Sequence, residues 1–201
     1  MTKRFILASG SQTRAALLRS ARVDFDVVPA AVDEAALFAN ACESGAPQDP
    51  SAISLFLAKA KATEVSERFP EALVLGGDQV LALGSQLIFW AADRAGAKDI
   101  LSRLRGNTHS LHSAAALSFN GNVVWTGLDT ASLKMRAFSA EYLETYLNEA
   151  GDALTASAGA YQIEGVGVNL FETVIGNHAT ILGLPLLPLL AELRTRGVIA
   201  E

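Results

Sequence analysis

Two serines flank a glycine near the N-terminus, between a predicted strand and a predicted helix. These residues are Ser9, Gly10 and Ser11, and Arg14 lies one turn inside the helix. The first turn of a helix has free backbone N–H groups and the positive end of the helix dipole, so it binds phosphate well. Gly10 allows the backbone to approach a ligand, and Arg14 can pair with the same anion. The pattern indicates a phosphate site, with plain N-capping by Ser11 as the simpler alternative.

An acidic residue stands at the tip of a strongly apolar predicted strand. Asp78 follows two glycines and precedes Gln79, and residues 73–75 are all aliphatic. Ligands of α/β sheets gather at strand ends, where a carboxylate can hold Mg²⁺ or activate water. The alternative is a turn aspartate, but a turn residue usually ends a strand, and residues 80–83 continue the apolar pattern. The sequence therefore favours a functional role for Asp78.

Lys61 lies beside the apolar stripe of the longest predicted helix. Ile53, Leu57 and Ala60 form the stripe. At 100° per residue, Lys61 falls on the shoulder of the stripe while Lys59 points away. A shoulder lysine can reach into a site beside the core, although it more often extends its charged end to water. The position by itself leaves both roles open.

Two adjacent carboxylates, Asp33 and Glu34, follow the second predicted strand. Paired carboxylates ahead of a helix can ligate a metal ion. They are at least as favourable at any helix N-terminus, because the helix dipole attracts negative charge. The histidines are scattered and Cys42 is the only cysteine, which argues against a zinc site.

The elements that must position these side chains alternate between strand and helix in the first half of the chain, and a long hairpin follows. Strands are predicted at residues 5–9, 25–29, 73–83, 108–119 and 122–135. Helices are predicted at residues 12–21, 35–42, 51–69, 93–104, 140–148 and 184–195, with Ser51 as the N-cap of the longest. Asn120-Gly121 is a strong hairpin signal, whereas the glycine-rich segment 159–183 gives no clear pattern. This order predicts an α/β fold with a sheet of mixed strand direction.

Length and composition limit the class of protein. The chain has 201 residues, a formal charge of −5 and 18% charged residues, which is typical of one globular domain over residues 1–201. The acidic balance argues against a nucleic-acid partner, since polyanion binding needs a basic surface, and favours a small molecule. A lone cysteine excludes an internal disulfide and favours a cytoplasmic location. The apolar stretch 181–191 is too short for a membrane helix and contains two prolines.

Short motifs spread over the whole chain resemble the Maf family of septum-formation-inhibitor-like nucleotide pyrophosphatases. Each motif is weak alone, but their number and order make the resemblance specific. They are residues 7–11 with Arg14, 32–34, 57–62, 77–80, 104–109, 158–167, 170–172 and 181–186.

The resemblance implies both a fold and a reaction. The fold is an elongated α/β structure with a mixed sheet and a cleft between two lobes, related to house-cleaning pyrophosphatases of the ITPase type. The reaction is hydrolysis of a nucleoside triphosphate to the monophosphate and pyrophosphate, with a divalent cation, Mg²⁺ or Mn²⁺. Asp78 and Glu34 would hold the metal ion. The sequence leaves the oligomeric state open, including a homodimer.

The resemblance also assigns roles to the residues singled out above. Ser9, Ser11 and Arg14 would hold the triphosphate. Lys61 would neutralise the charge that develops in the reaction, and Asp78 would accept the proton of the attacking water. Each role agrees with the chemistry of the side chain concerned.

The chain departs from the family pattern at two places. Gln12 and Thr13 stand where the family usually has proline and arginine. Thr13 is expected among the substrate-binding residues, although it matches neither substrate branch of the family. Trp90 stands where the family usually has a lysine, and nearby Arg94 offers a substitute charge. Loss of that lysine leaves a second hypothesis open, a catalytically weakened nucleotide-binding or cell-division regulatory protein on the same fold.

Two further positions indicate a substrate branch within the family. Pyrimidine-selective members usually have threonine after the catalytic aspartate, whereas the branch that acts on 7-methylguanosine triphosphate has glutamine. This chain has Gln79, and it has Glu164 where the pyrimidine branch tends to have glutamine. The resemblance therefore favours a modified or non-canonical base, with Gln79 and Glu164 as the residues that read the base edge.

Overall fold

The computed structural model describes residues 4–34, 36–37 and 49–200. Most of the predicted helix 35–42, including Cys42, lies outside these ranges. The chain forms two compact units. Unit 1 comprises Met1–Gln79, His112–Thr130 and Asn177–Glu201, and unit 2 comprises Val80–Leu111 and Ala131–Gly176.

The strands form a mixed sheet, as the sequence predicts. They are β1 (Phe5–Leu7), β2 (Asp26–Val27), β3 (Leu73–Leu83), β4 (Gln86–Ile88), β5 (Thr108–Phe119), β6 (Asn122–Met135) and β7 (Phe171–Ile175). The strand order is β2-β1-β3-β5-β6-β7, and β4 pairs with β3. β1 runs parallel to β2 and β3, whereas the β3–β4 and β6–β7 pairs are antiparallel. The bounds of β3, β5 and β6 equal the predicted ones, β1 and β2 are shorter, and β4 and β7 were not predicted.

Five of the predicted helices are observed with small shifts at their ends, and two short helices and a 3₁₀ helix lie where none was predicted. They are α1 (Gln12–Ser20), α2 (Pro50–Arg68), α3 (Arg94–Leu104), α4 (Ala140–Glu149), α5 (Ala153–Ala156), α6 (His178–Ile181) and α7 (Leu186–Thr195), with a 3₁₀ helix at Val166–Leu170. None of the helices within the described ranges is long and apolar enough to cross a membrane.

The N-cap of α2 corrects one prediction. Asp49, not Ser51, caps this helix, because the Asp49 side chain accepts a hydrogen bond from the backbone N–H of Ala52. Pro50 then occupies the first helical position, where a missing N–H costs nothing. Ser51 instead shares a hydrogen bond of 2.8 Å with Nδ1 of His112.

The predicted hairpin turn lies between β5 and β6. Asn120 and Gly121 both have positive φ angles, 49° and 72°. This is the backbone that a two-residue type I′ turn requires, and asparagine and glycine tolerate it best. The local sequence therefore sets the register of the two longest strands.

The core of unit 1 is divided between the two faces of β3. Leu73 and Leu75 pack in one cluster with Leu18 of α1, whereas Val74 packs in another with Val65 of α2. Successive side chains of a strand point to opposite faces. We call these faces the α7 face, since the first cluster also contains residues of α7, and the α2 face.

The same alternation continues along β3 into the polar residues. Gly76 and Asp78 share the α2 face with Val74, and Gly77 and Gln79 share the α7 face with Leu75. The sequence Gly-Gly-Asp-Gln therefore supplies different side chains to the two faces.

Unit 2 buries an aromatic and polar cluster of its own. Nε2 of His109 lies 2.7 Å from the hydroxyl of Tyr161, and the Tyr161 and Phe171 rings meet edge to face with centroids 4.8 Å apart. On the surface of this unit, Glu144 of α4 pairs with Arg94 and Lys98 of α3.

Candidate active site

Ser9 and Ser11 lie at the start of α1 in unit 1. The Ser11 hydroxyl oxygen accepts a hydrogen bond from the backbone N–H of Arg14, which makes Ser11 the N-cap, as the simpler alternative states. The Ser9 oxygen accepts from the Ser11 backbone N–H at 3.3 Å and from Nη1 of Arg14 at 3.1 Å. Both hydroxyl groups act as acceptors in these contacts, so each retains a hydrogen atom that it can donate to an anion.

The half-buried Arg14 side chain is held in a slot made by two glycines. Its Nε donates to the carbonyl oxygen of Gly183 at 2.9 Å. A Cβ atom on Gly77 would lie 3.2 Å from Cδ and Nε of Arg14 and 3.3 Å from Leu184. A Cβ atom on Gly183 would lie 3.3 Å from the same Nε. The glycines thus leave room for the guanidinium, which reaches both Ser9 and the Gly183 carbonyl.

Lys61 and Asp78 form a buried ion pair on the α2 face. Nζ of Lys61 donates to Oδ1 of Asp78 at 2.7 Å, and the two residues are 8% and 6% exposed. Gly76 makes this possible, because a Cβ atom there would lie 2.2 Å from the carbonyl oxygen of Ala58 and 2.6 Å from the backbone nitrogen of Ala62. Glycine therefore lets α2 approach β3 closely enough for the two charged side chains to meet.

The position of Lys61 on its helix differs from the prediction in detail. The buried residues of α2 occur as adjacent pairs, Ile53–Ser54, Leu57–Ala58, Lys61–Ala62 and Val65–Ser66. Lys61 therefore lies inside the buried stripe, not on its shoulder, and its ammonium group is bonded to the carboxylates of Asp78 and Glu34. Lys59 is half-buried and lies outside that set.

The two adjacent carboxylates separate into different roles. Oε1 of Glu34 lies 2.8 Å from Nζ of Lys61, and the Glu34 side chain is 55% exposed. Oδ1 of Asp33 instead accepts from the backbone N–H of Ala36 at 3.0 Å, a local capping contact. Glu34 and Asp78 thus meet at one ammonium group, as the prediction of a shared site requires, and Asp33 does not take part.

Burial and neighbouring charges have opposing effects on the pKa values of Asp78 and Arg14. Burial raises the pKa of Asp78, the positive charges of Lys61 and Arg14 lower it, and the negative charge of Glu34 raises it again, with a net upward shift. Burial lowers the pKa of Arg14, while Asp78 and Glu34 counter that effect. A carboxylate whose pKa is raised by burial, beside two cations, is typical of a site that moves protons.

The donor set fits a hard divalent cation. Within residues 4–34, 36–37 and 49–200, no group of three or more acidic, histidine or cysteine side chains could hold a metal ion. Asp78 and Glu34 nevertheless place two carboxylates around one positive charge. Mg²⁺ commonly binds through one or two carboxylates and completes its shell with water and substrate phosphates. These two residues suit a metal ion that arrives with its substrate.

Gln79 lies on the α7 face and is bonded within unit 1. The two hydrogens of its Nε2 are shared among three acceptors, the Ser113 hydroxyl at 2.9 Å, the Thr180 carbonyl at 2.9 Å and the Ile181 carbonyl at 3.0 Å. Asp78, the preceding residue, faces α2. A direct contact between Gln79 and a base would have to use its Oε1 atom.

The remaining predicted residues are distributed between the units. Thr13 lies half-buried in the first turn of α1 in unit 1. Glu164 is exposed in a turn of unit 2. Trp90, also in unit 2, is 63% exposed, and its backbone pairs with Ala158. Arg94 is bonded to Glu144 and to the Leu147 carbonyl, so its charge already has partners within unit 2.

Three residues of unit 1 were missed by sequence reasoning. Ser113 and Thr180 are fully buried and contact Gln79, and the Thr180 hydroxyl donates to Asp129 at 2.6 Å. A signal existed for Ser113, since a serine directly before the alanines at 114–116 is a polar residue in an otherwise apolar strand. Thr180 lies in the segment for which the sequence gives no pattern.

A family model and two named relatives match nearly the whole chain. A family model described as Maf-like protein matches residues 4–196. A protein of Mesorhizobium japonicum named 7-methyl-GTP pyrophosphatase is 51% identical over 199 residues, 99% of each chain. A protein of Rhodopseudomonas palustris named nucleoside triphosphate pyrophosphatase is 46% identical over 195 residues, 97% of this chain and 95% of its own. The structure of a HAM1 protein from Coxiella burnetii aligns with a TM-score of 0.41 and 16% identity, over 67% of this chain and 74% of that one.

Proposed function

This chain belongs to the Maf-like protein family, and we propose that it hydrolyses a nucleoside triphosphate to the monophosphate and pyrophosphate. The family and the enzyme class expected from the motifs agree with the names that the two relatives carry. The observation that carries the proposal is the buried Lys61–Asp78 pair beside Arg14. This cluster places a carboxylate that can accept a proton beside two cations that can bind phosphate.

Asp78 is the proposed general base. Lys61 binds its Oδ1 atom, so we assign Oδ2 to the attacking water. The water oxygen bonds to the α-phosphorus, its proton passes to Asp78, and the bond from that phosphorus to the bridging oxygen breaks. Pyrophosphate leaves with the electron pair of the broken bond. Because burial raises the pKa of Asp78, this carboxylate is a stronger base than an exposed aspartate.

The cations and hydroxyls of unit 1 stabilise the phosphates. Arg14 is held at Ser9 and Gly183, and its fixed guanidinium suits bidentate contact with a phosphate. Lys61 lies beside the general base, where it offsets charge that develops on the reacting phosphate. Ser9 and Ser11 donate their hydroxyl hydrogens at the N-terminus of α1, where the helix dipole adds to the attraction.

Asp78 and Glu34 are the residues that would hold a divalent metal ion, Mg²⁺ or Mn²⁺. When bound, the ion would neutralise the negative charge of the phosphate oxygens. Lys61 bonds to both carboxylates at 2.7 and 2.8 Å. Its ammonium group therefore keeps the two acids close together.

For the substrate, we propose a triphosphate with a modified base of the 7-methylguanosine type. Support comes from the name of the Mesorhizobium japonicum relative and from Gln79 and Glu164 at the two branch-associated positions. A relative of similar identity carries the broader name, so overall identity does not decide the base. The exposed carboxylate of Glu164 suits both the N–H edge of guanine and the positive charge of its methylated ring.

The competing function is a nucleotide-binding regulator of cell division with weakened catalysis. Its motivation is Trp90, which stands where the family usually has a lysine. Against it, unit 1 retains Lys61 and Arg14 beside Asp78, so its candidate site keeps two cations. A cytoplasmic location, a single Maf-like domain over residues 1–201 and a homodimer stay predictions.

The test is pyrophosphate release, measured as phosphate after addition of inorganic pyrophosphatase. The panel is 7-methyl-GTP, GTP, TTP and UTP, each with Mg²⁺, with Mn²⁺ and with a chelator. We expect metal-dependent turnover and the highest kcat/KM for 7-methyl-GTP. A clear preference for TTP or UTP would reject the substrate class, and binding without any turnover would favour the regulator.

A further inference from the structure

The side-chain amide of Gln79 is fixed in one orientation. Its Nε2 faces three acceptors, which are the Ser113 hydroxyl and the carbonyl oxygens of Thr180 and Ile181. Rotation of the amide by 180° would place Oε1 against the two carbonyl oxygens, where like partial charges repel and no hydrogen is available. The amide nitrogen therefore remains on the side of Thr180 and Ile181.

A second set of buried hydrogen bonds holds the residues that Gln79 contacts. The Ser113 hydroxyl donates to the Thr180 carbonyl at 2.7 Å, and the Thr180 hydroxyl donates to Oδ2 of Asp129 at 2.6 Å. Ser113 and Thr180 are both 0% exposed. Polar groups buried to this degree must be satisfied, so the network has a single favourable arrangement.

The chain that follows Thr180 leads directly to Arg14. The Gly183 backbone N–H donates to the Thr180 carbonyl at 3.0 Å. The Gly183 carbonyl accepts Nε of Arg14 at 2.9 Å. Gly183 has a φ of 99°, a conformation that residues other than glycine rarely adopt. The segment 180–183 therefore lies between the Gln79 amide and the guanidinium of Arg14, with a hydrogen bond to Gln79 at Thr180 and a hydrogen bond to Arg14 at Gly183.

We infer that Gln79 is a positioning residue, which fixes the segment 180–183 and through the Gly183 carbonyl holds Arg14 for the triphosphate. This inference rests on the proposed function, since it requires Arg14 to contact the phosphates. It differs from the expectation that Gln79 reads the base edge. A residue that acts through Arg14 affects every nucleotide alike, because all of them carry the same triphosphate.

The experiment is a double-mutant cycle on Gln79→Met and Arg14→Ala, with 7-methyl-GTP, GTP and UTP as substrates. Methionine keeps the length of the side chain and removes its donor. We expect Gln79→Met to lower kcat/KM by roughly 10-fold for all three nucleotides, as loss of a few hydrogen bonds implies. In the Arg14→Ala background, Gln79→Met should have little further effect on kcat/KM, because both substitutions remove the same contact between Arg14 and the triphosphate.

Two controls separate positioning from general damage to the fold. Gln86→Met makes the same substitution at an exposed glutamine of unit 2 and should leave kcat/KM unchanged. Thr180→Val removes the hydroxyl that Asp129 accepts and should reproduce the effect of Gln79→Met, whereas Thr180→Ser keeps the hydroxyl and should restore activity. Urea unfolding of each variant confirms that the comparison is made on folded protein.

Base-dependent losses that are additive with Arg14→Ala would overturn the inference and leave the proposed function intact. Absence of turnover in the wild-type protein would instead contradict the proposed function. The same cycle would then be measured by calorimetry with inorganic triphosphate. Equal affinity of wild type and Gln79→Met for that anion would overturn the inference in that case.

Discussion

The two units each bury a pair of polar side chains, and the pairs differ in charge. In unit 1, Lys61 and Asp78 are 8% and 6% exposed and form an ion pair. In unit 2, His109 and Tyr161 are 2% and 4% exposed and form a hydrogen bond of similar length. Burial lowers the pKa of His109 to about 4 and raises that of Tyr161, so both remain neutral near pH 7.

This difference separates a structural pair from a reactive one. A buried neutral pair carries a smaller desolvation cost than an ion pair, although Nδ1 of His109 has no hydrogen-bond partner among the described residues. A buried ion pair carries a desolvation cost that often exceeds its attraction, so its presence is weak evidence for stability. The chain supplies Glu34 and Arg14 in addition to Lys61 around Asp78. Charges concentrated at one carboxylate are better explained by chemistry than by folding.

The largest expected effect is that of Asp78→Asn. Asparagine keeps the shape but cannot accept a proton, so kcat should fall about 10²–10⁴-fold, the usual contribution of a general base. The pKa of Asp78 in the folded state lies above its ordinary value of 3.8. Between the pKa of the unfolded state and that of the folded state, the folded protein therefore binds more protons. The ionised carboxylate therefore disfavours folding at pH 7. Asparagine also removes one charged partner of the buried Lys61 ammonium, and loss of one member of a buried ion pair is destabilising. We therefore expect the free energy of unfolding, measured in urea at pH 7, to decrease although the variant remains folded in the assay.

The matched control is Asp99→Asn, at an aspartate of unit 2 whose side chain is 73% exposed. It should change neither the rate nor the stability. An Asp78→Asn variant that retains near-wild-type turnover would remove the distinction between the two buried pairs. A loss of activity that only matches the fraction of unfolded protein would make Asp78 a structural residue.

Removal of either cation should have the next largest effect. Arg14→Ala and Lys61→Ala should each lower kcat/KM by roughly 10²–10³-fold, the range found when one donor to a transition-state charge is deleted. Lys59→Ala is the control, since Lys59 is on the same helix outside the buried set. Comparable losses at Lys59 and Lys61 in steady-state assays would contradict the assignment of Lys61 to the site.

Much of unit 1 follows from local sequence. β3 was predicted with its observed bounds because its apolar run is long, and the Asn-Gly turn specified the β5–β6 hairpin. Lys61 and Asp78 were each recognised, but their contact depends on the absence of a side chain at Gly76, which spacing alone does not show. Close packing between a helix and a strand is a tertiary property.

The network around Gln79 could be predicted only in part. The period of two along β3 places Gln79 and Asp78 on opposite faces, and that inference was available from sequence. The partners of Gln79 were not, because two of its three acceptors are backbone carbonyls of Thr180 and Ile181. Any residue type carries a carbonyl, so sequence gives no sign of such a contact.

A smaller effect concerns stability in unit 2 and its dependence on pH. His109 titrates at an ordinary 6.5 when unfolded and at about 4 when folded, so the unfolded state binds more protons between these values. The contribution of neutral His109 to the free energy of unfolding is therefore fully present above pH 6.5. It is lost as the pH falls toward 4, by about 3 kcal/mol in total. His109→Gln should reduce this slope in urea unfolding measured from pH 4 to 7.

The turnover rate at pH 7 should be unaffected by His109→Gln, whereas Asp78→Asn should lower it. The substitution control is His178→Gln, at an exposed histidine of unit 1. An unchanged slope in His109→Gln would show that the unit 2 pair does not titrate as a buried neutral pair.

The smallest expected effect is that of Trp90→Lys. Trp90 is 63% exposed, so it does not fill the core and its replacement should leave the unfolding midpoint unchanged. An exposed indole stacks well on a positively charged ring, with a contribution of about 0.5–2 kcal/mol. We therefore expect KM for 7-methyl-GTP to rise by roughly 2- to 30-fold on that basis, with kcat nearly constant and a smaller change for UTP. Trp90→Phe should retain most of the affinity.

A rise in kcat in Trp90→Lys, with KM changed less, would instead show that the family lysine stabilises the transition state and that this chain works without it. The contrast between a reactive unit 1 and a structural unit 2 would then no longer hold.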